Sequence, residues 1–378
     1  MNPAGSAAAM ALAQARRIVV KLGSAQLMDA RSGPRRSRFT EIANDIAALK
    51  RDGREIVLVS SGAVALGRPR LGFSAAEPLT LEQKQACAAA GQARLIQLWD
   101  SALEPHGLPA AQALLSPGDT EHRPRWLNAR ATLATLIARG AVPVINENDT
   151  VATAELRFGD NDRLAARAAQ ICSADVLILL SDVDGLYTDD PKIPGAEHIS
   201  EVRDITPEIE AMAGPARAGG AGTGGMASKL AAAKIAAATG CAMIIARGDA
   251  ERPLQAIEAG ARASLFHAVA DPETARRAFI TGSLAREGRL ILDAGAREAV
   301  RAGKSLLPAG VVRVEGRFRR GEAVLLAGPD GLRFAVGLAG YDDHEVRAVA
   351  GLKTAAVELA LGYRRGAALV HAGDIVLD

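Results

Sequence analysis

The residues whose types and spacing could do chemistry fall in five segments. One is Gly219-Gly220-Ala221-Gly222-Thr223-Gly224-Gly225-Met226-Ala227-Ser228-Lys229, which runs straight into a helical pattern from Leu230 to Thr239. Glycines there let successive backbone N–H groups approach an anion, a helix start adds a favourable dipole, and Lys229 supplies a mobile positive charge. The combination reads as a phosphate site; the plainer reading is a flexible surface loop. Gly220, Gly222 and Gly225 also fit G-x-G-x-x-G, but that fingerprint needs a strand immediately before it, and Gly214 and Pro215 stand there instead. A Walker loop is missing as well: Gly303-Lys304-Ser305 has Glu298 where the required glycine would be, so it reads as a turn.

Two further segments sit where short apolar runs end. Val19-Val20-Lys21-Leu22-Gly23-Ser24 closes on a lysine beside a glycine turn, and Ser60-Ser61-Gly62-Ala63 forms a backbone nest with hydroxyls after the next run. Alone, each is an ordinary strand end. Asn146-Glu147-Asn148-Asp149, followed by Gly159-Asp160-Asn161-Asp162, gathers amides and carboxylates suited to an ammonium group, with a carboxylate left to orient lysines. Asn161 or Asp162 could equally cap a helix from Leu164 to Cys172. The last segment, Leu179 to Pro191, leaves an apolar run at Ser181 and Asp182 for an acidic loop, which is either an edge for nucleotide base and ribose or a solvated turn. The histidines at 106, 122, 198, 267, 344 and 371 show no metal-ligand spacing, and no Ser/His/Asp order or Cys/His pair stands out, so neither a protein metal site nor hydrolase chemistry is indicated.

Bringing these segments together requires elements that end at one place. Ile18 to Lys21, Glu55 to Ser60, Val142 to Asn146, Val176 to Ser181 and Met243 to Ala246 are short and nearly all apolar, as strands covered on both faces are. Phe39, Ile42, Ile46 and Leu49 recur at helical spacing between the first two, with Gly53 as a stop signal. Strand–helix–strand repetition predicts an α/β domain over 15–270, a three-layer sandwich with a mainly parallel central sheet, whose ligands gather beyond the carboxyl ends of the strands. From about Gly288 shorter strand-like pieces at Val311 to Val314, Ala323 to Leu326 and Phe334 to Val336 predict a small β-rich domain over 286–378, with 270–286 as connector.

A chain of 378 residues with 49% hydrophobic content can bury a core in each domain. Its formal charge of +2 is spread along the chain, so small molecules rather than nucleic acid are the expected partners. Cys87, Cys172 and Cys241 are odd in number and lie in apolar runs, which fits a reducing compartment. Arg16 and Arg17 follow an Ala-rich start, the reverse of a secretion signal, and no run reaches membrane-spanning length. A cytoplasmic location is expected.

The order and content of these segments resemble the amino acid kinase family, in particular its branch acting on glutamate. The resemblance rests on VVKLGS, VSSGAVALG, GQARLIQLW, VPVINENDTVATAE, FGDNDRLAA, LLSDVDGLYTDDP and GTGGMASKLAAAKIA, over roughly residues 17–267. The later part, with LLPAG and RGEAV, looks like a PUA domain. The family fold implied is the three-layer sandwich above. The resemblance implies that Lys21 and Lys229 contact ATP phosphates, that Asp162 holds both lysines, and that Ser61, Asp149 and Asn161 bind glutamate. It further implies that Ser181, Asp182, Thr223, Gly224, Gly225, Met226, Ala227, Ser228 and Lys229 hold the nucleotide. Ser24 and Ser181 stand where many relatives have threonine, a change that keeps the hydroxyl. The activity implied is ATP- and Mg²⁺-dependent formation of an acyl phosphate that feeds proline biosynthesis, with proline as feedback inhibitor and a homo-oligomeric assembly of two or four chains. Related kinases of aspartate, acetylglutamate, carbamate or UMP, and an RNA-binding regulator with an inactive kinase fold, are the alternatives; the terminal part lacks the concentrated basic and aromatic surface of the latter.

Overall fold

Along a strand, successive side chains point to opposite faces, so a run that is apolar throughout must be covered on both. That is the arrangement in the computed structural model of the chain, which describes residues 6–29, 33–74, 77–151, 161–214, 225–270, 274–275, 280, 288–363 and 366–378. The chain divides into two compact units, Met1–Pro272 and Glu273–Asp378. The expected connector lies mostly outside the described residues.

In the first unit, β1 (Arg17–Leu22) is followed by a ribbon of β2 (Met28–Asp29) and β3 (Gly33–Pro34). Then come β4 (Glu55–Ser60), β5 (Ala110–Leu115), β6 (Val142–Glu147) and β7 (Val176–Ser181). A second ribbon, β8 (Leu186–Tyr187) with β9 (His198–Ile199), leads to β10 (Glu201–Val202), β11 (Ala242–Arg247) and β12 (Ala263–Phe266). Eight of these strands form one sheet in the order β10-β12-β11-β7-β1-β4-β6-β5, parallel throughout except where β11 meets β12.

The period of two sorts the core into two layers. Ile18, Val20, Ile56, Leu58, Val144, Ile178 and Ile244 pack on one side with Phe39, Ile42 and Ile46 of the helix Arg36–Arg51 and Leu95 and Trp99 of the helix Leu81–Leu103. Val19, Val57, Val59, Ile145, Leu177, Leu179 and Ile245 pack on the other with the helices Arg123–Ala138, Asn161–Cys172 and Met226–Ala238. The result is the expected helix–sheet–helix sandwich. Outside the five anticipated strands lie β5, whose half-buried alanines and exposed Gln112 and Leu114 mark an edge, and the short pair β10 and β12. A helix at Ala7–Gln14 also precedes β1 and buries Ala8 and Leu12 in the first layer.

Two helices hold the end of β4 by close backbone contact. A Cβ on Gly91, in the helix Leu81–Leu103, would stand 1.9 Å from the Ala63 carbonyl oxygen, and one on Gly67 would stand 1.7 Å from that of Cys87. Only glycine allows the helix Ala63–Gly67 to lie this near. Thr80 and Gln83 form a capping box that fixes where the longer helix starts. Trp99 Nε1 then donates to Ser60 Oγ at 2.8 Å, tying that helix to the last residue of β4.

The second unit is a five-stranded sheet of β13 (Gly288–Leu292), β14 (Val311–Glu315), β15 (Ala323–Ala327), β16 (Arg333–Leu338) and β17 (Ile375–Leu377), ordered β14-β13-β15-β16-β17. It has its own core, including Leu290, Leu292, Val324, Leu326 and Tyr341. Gly303, in the tripeptide that mimics a phosphate loop, takes φ +76° in the turn after the helix Ala294–Arg301. Among the described residues, no helix is long and apolar enough to cross a membrane.

Candidate active site

Because β1, β4, β6, β7 and β11 are mutually parallel, their carboxyl ends share one edge of the sheet. Register places Leu22 opposite both Ser60 and Leu180, and Ser181 opposite Arg247. Lys21 has the parity of Val19 and Ser181 that of Leu179, so both side chains enter the layer holding the helices Asn161–Cys172 and Met226–Ala238. Asp162 and Lys229 lie in the first turns of those two helices.

These three residues meet. Lys21 Nζ is 2.5 Å from Asp162 Oδ1 and Lys229 Nζ is 3.1 Å from Asp162 Oδ2. Asp162 is 0% exposed, Lys229 6% and Lys21 9%. Burial alone would push the Asp162 carboxyl up, but Coulombic attraction and hydrogen bonds from Lys21 and Lys229 outweigh it and hold the group below the ordinary carboxylate value. Two ammonium groups on one carboxylate make a triad of net positive charge at the sheet edge. It is a place for a polyanion.

Beside it, the helix Met226–Ala238 begins after Gly225, which offers no side-chain cap. The N–H groups of Ser228 and Lys229 turn back to the Gly225 carbonyl at 3.1 and 3.3 Å, while Met226 and Ala227 head the helix. Among the described residues the Ser228 hydroxyl is buried with no hydrogen-bond partner. A helix start with an unsatisfied buried hydroxyl and a lysine fits a phosphate group. Thr223 and Gly224 of the anticipated nucleotide loop lie outside the described residues. Ser181 is buried and donates to Asp182 Oδ1 at 3.0 Å, and Asp182 is exposed at the rim.

A second polar cluster lies beyond β4 and β6. Ser61 N–H is anchored to the Leu22 carbonyl at 3.1 Å, and Gly62 follows with φ +119°, where a Cβ would come within 2.8 Å of Met28 Cε. Asn161 Nδ2 donates to Ser61 Oγ at 2.6 Å and to Asn146 Oδ1 at 3.1 Å. Asn161 and Asp162 thus occupy the first turn of their helix, and the Asn161 side chain reaches across to β4 and β6. Asn146 Nδ2 in turn donates to Gln92 Oε1 at 2.9 Å. Asn146 opens the amide and carboxylate segment that the sequence marks for an ammonium group, whereas Gln92 stands inside the motif GQARLIQLW without a role of its own; a polar residue on the buried face of an apolar helix is the available signal. Asp149 begins a short turn, Asp149–Val151, and burial pushes its carboxyl up to about 6.

Both Asp162 oxygens face ammonium groups, Oδ1 that of Lys21 and Oδ2 that of Lys229. Among the described residues, the one group with metal-like geometry is Asp342, His344 and Glu345 in the second unit, where Asp342 and Glu345 form a capping box.

Both parts of the chain match known families. The amino acid kinase family matches residues 16–247 and the PUA domain matches residues 288–360. A protein of Rhizobium meliloti (strain 1021) named glutamate 5-kinase 1 is 52% identical over 368 residues, 97% of this chain and 93% of that protein. The glutamate 5-kinase of Caulobacter vibrioides (strain NA1000 / CB15N) is 53% identical over 366 residues, 96% of this chain and 97% of that one.

Proposed function

Because the chain belongs to the amino acid kinase family, within its glutamate 5-kinase branch, we infer that it transfers the γ-phosphoryl group of ATP to the side-chain carboxylate of L-glutamate, giving L-glutamyl 5-phosphate and ADP. The observation that carries this reading is the shared grip of Asp162 on Lys21 and Lys229, two lysines that are 208 positions apart by their numbers (229 − 21) and end at one sheet edge.

The acceptor carboxylate has an ordinary pKa near ~4.3, so at neutral pH it is already the nucleophile and no general base is required. One of its oxygens forms a bond to the γ-phosphorus as the bond to the β–γ bridging oxygen breaks, and ADP carries away the electron pair. What opposes the reaction is charge: an anion approaches a polyanion, and negative charge spreads over the transferred oxygens. Lys21, Lys229 and the N–H groups of Met226 and Ala227 are the groups that meet it, with Asp162 fixing both amines before substrate arrives. Magnesium enters as part of the substrate, MgATP, held by the phosphates. Ser181, Asp182 and the segment 223–229 hold the nucleotide, and Ser61, Asp149 and Asn161 hold glutamate, with Asp149 facing its ammonium group. The product is an acyl phosphate of the kind used at the start of proline synthesis, and proline acts as feedback inhibitor of a homo-oligomeric enzyme in the cytoplasm. The three free, buried cysteines support a reducing compartment.

The test is ADP release with MgATP and a panel of glutamate, aspartate, acetylglutamate, carbamate and UMP, with hydroxylamine to trap the acyl phosphate and proline as added inhibitor. Glutamate-dependent ADP release with hydroxamate formation is expected; turnover with another acceptor alone overturns the assignment. Lys21→Ala and Lys229→Ala should each lower kcat by about 10²–10³-fold while changing glutamate KM little, by analogy with the loss of one preorganised donor.

A further inference from the structure

Resting on glutamate as the substrate, we propose that Gln92 is a positioning residue that fixes which way the amino acid site presents its donors and acceptors. The argument is a count of amide hydrogens. Gln92 Oε1 accepts from Asn146 Nδ2 at 2.9 Å, Asn146 Oδ1 accepts from Asn161 Nδ2 at 3.1 Å, and Asn161 Nδ2 gives its other hydrogen to Ser61 Oγ at 2.6 Å. Each amide in the chain is oriented by the one behind it. Both hydrogens of Asn161 are spent, so its Oδ1 is left to accept from the substrate ammonium, and the Ser61 hydroxyl, having accepted, is left to donate to a substrate carboxylate.

The chain ends at Gln92, which is 9% exposed, and Asn146 is 4% exposed. Gln92 Nε2 is buried with no hydrogen-bond partner among the described residues, so the bond that its Oε1 accepts is the contact through which it acts on Asn146. Turning Asn146 over would place Nδ2 against the Nδ2 of Asn161, and Asn161 would turn in response. An amide NH₂ would then face the substrate ammonium. Gln92 sits one residue after Gly91, whose missing side chain lets this helix touch the Ala63 carbonyl, so the same contact that brings the helix to the site carries Gln92 to Asn146.

The test uses the full chain and Gln92→Met, close in length and without hydrogen-bonding groups, with Gln92→Ala in its place if the methionine variant does not give folded protein. Glutamate KM should rise about tenfold or more, as for a lost amide contact that leaves a buried partner unsatisfied, with kcat and the KM for MgATP within about threefold. The second readout is a cycle with Ser61→Ala. If Gln92 acts through Asn146 and Asn161 on Ser61, the double variant should bind glutamate about as weakly as the weaker single variant. An unchanged glutamate KM in Gln92→Met, or effects that multiply in the cycle, overturns the proposal while leaving glutamate kinase activity intact. Loss of the glutamate assignment shows instead as no glutamate-dependent ADP release by the unmodified chain.

Discussion

At the scale of single residues, the decisive group is a carboxylate that burial opposes and two cations secure. Asp162→Asn removes the counter-charge from two buried ammonium groups, an event that typically costs about 3–5 kcal/mol, and the thermal midpoint of the first unit should fall by about 10 °C. The Asp162 carboxyl is held below its ordinary value in the folded chain. Its contribution is therefore complete above the unfolded value of 3.8 and is lost as pH falls through the lower folded value. Melting curves of Asp162→Asn between pH 3 and 5 should lack that acid-side loss; the same slope in both proteins would sink the pairing as a source of stability. Asp149 behaves in the opposite sense. Its carboxyl is pushed up to about 6, so below that pH it protonates and can no longer attract an ammonium group. For the unmodified chain kcat/KM for glutamate should drop about tenfold per pH unit below 6. Asp149→Asn should show a low, flat profile there. Lys21, Asp162 and Lys229 are legible through the motifs that carry the family resemblance, because a charge at a strand end or helix start is by itself as readily an ordinary strand end or a cap. Gln92 was not legible, since a polar residue on a long helix looks the same whether it faces water or an asparagine of a strand 54 positions away.

At the scale of elements, strands buried on both faces were legible and those at the edge were not. Glu55–Ser60 and Val176–Ser181 follow their apolar runs to the residue, because both faces need covering. Ala110–Leu115 reads AAQALL on a sheet edge, without the β-branched residues that mark the buried strands, so its sequence gives no strand signal. The helix bearing Lys229 starts at Met226, four residues before the apolar pattern at Leu230, because its first turn is built around the glycine rather than the core. Gly67 and Gly91 show the same limit: the motifs contain them, but only the fold reveals that two helix backbones touch there. Gly91→Val should therefore cost more than ordinary overpacking of about 1–3 kcal/mol, since backbone rather than a side chain blocks it. By shifting the helix Ala63–Gly67 it should also displace Ser61, and glutamate KM should rise in whatever protein remains folded. Gly107→Ala, at a positive φ of 68° but with nothing within 4 Å of the added Cβ, supplies the comparison: a small loss of stability and unchanged KM. Equal effects of the two substitutions on KM would rule out the close helix contact as the support of the substrate site.

At the scale of the whole molecule, two units each carry a separate hydrophobic core, and the residues assigned to chemistry all belong to the first. Independent cores predict independent cooperative transitions, so heating should give two calorimetric peaks rather than one. A ligand stabilises only the state that binds it, by about 2.7 kcal/mol at a hundredfold excess over Kd, so MgATP should raise one peak and leave the other in place. The cysteines identify which peak that is. Cys87, Cys172 and Cys241 are all buried in the first unit, and burial pushes the Cys172 thiol up to about 12, so below that pH it is protonated as well as shielded. A thiol reagent present during heating should react only as the first unit opens, and the temperature of labelling should climb with MgATP together with the ligand-sensitive peak. Labelling that tracks the ligand-insensitive peak, or a single transition that MgATP moves as a whole, would show that the two cores unfold as one and that nucleotide binding is felt beyond the unit that carries Lys21, Asp162 and Lys229.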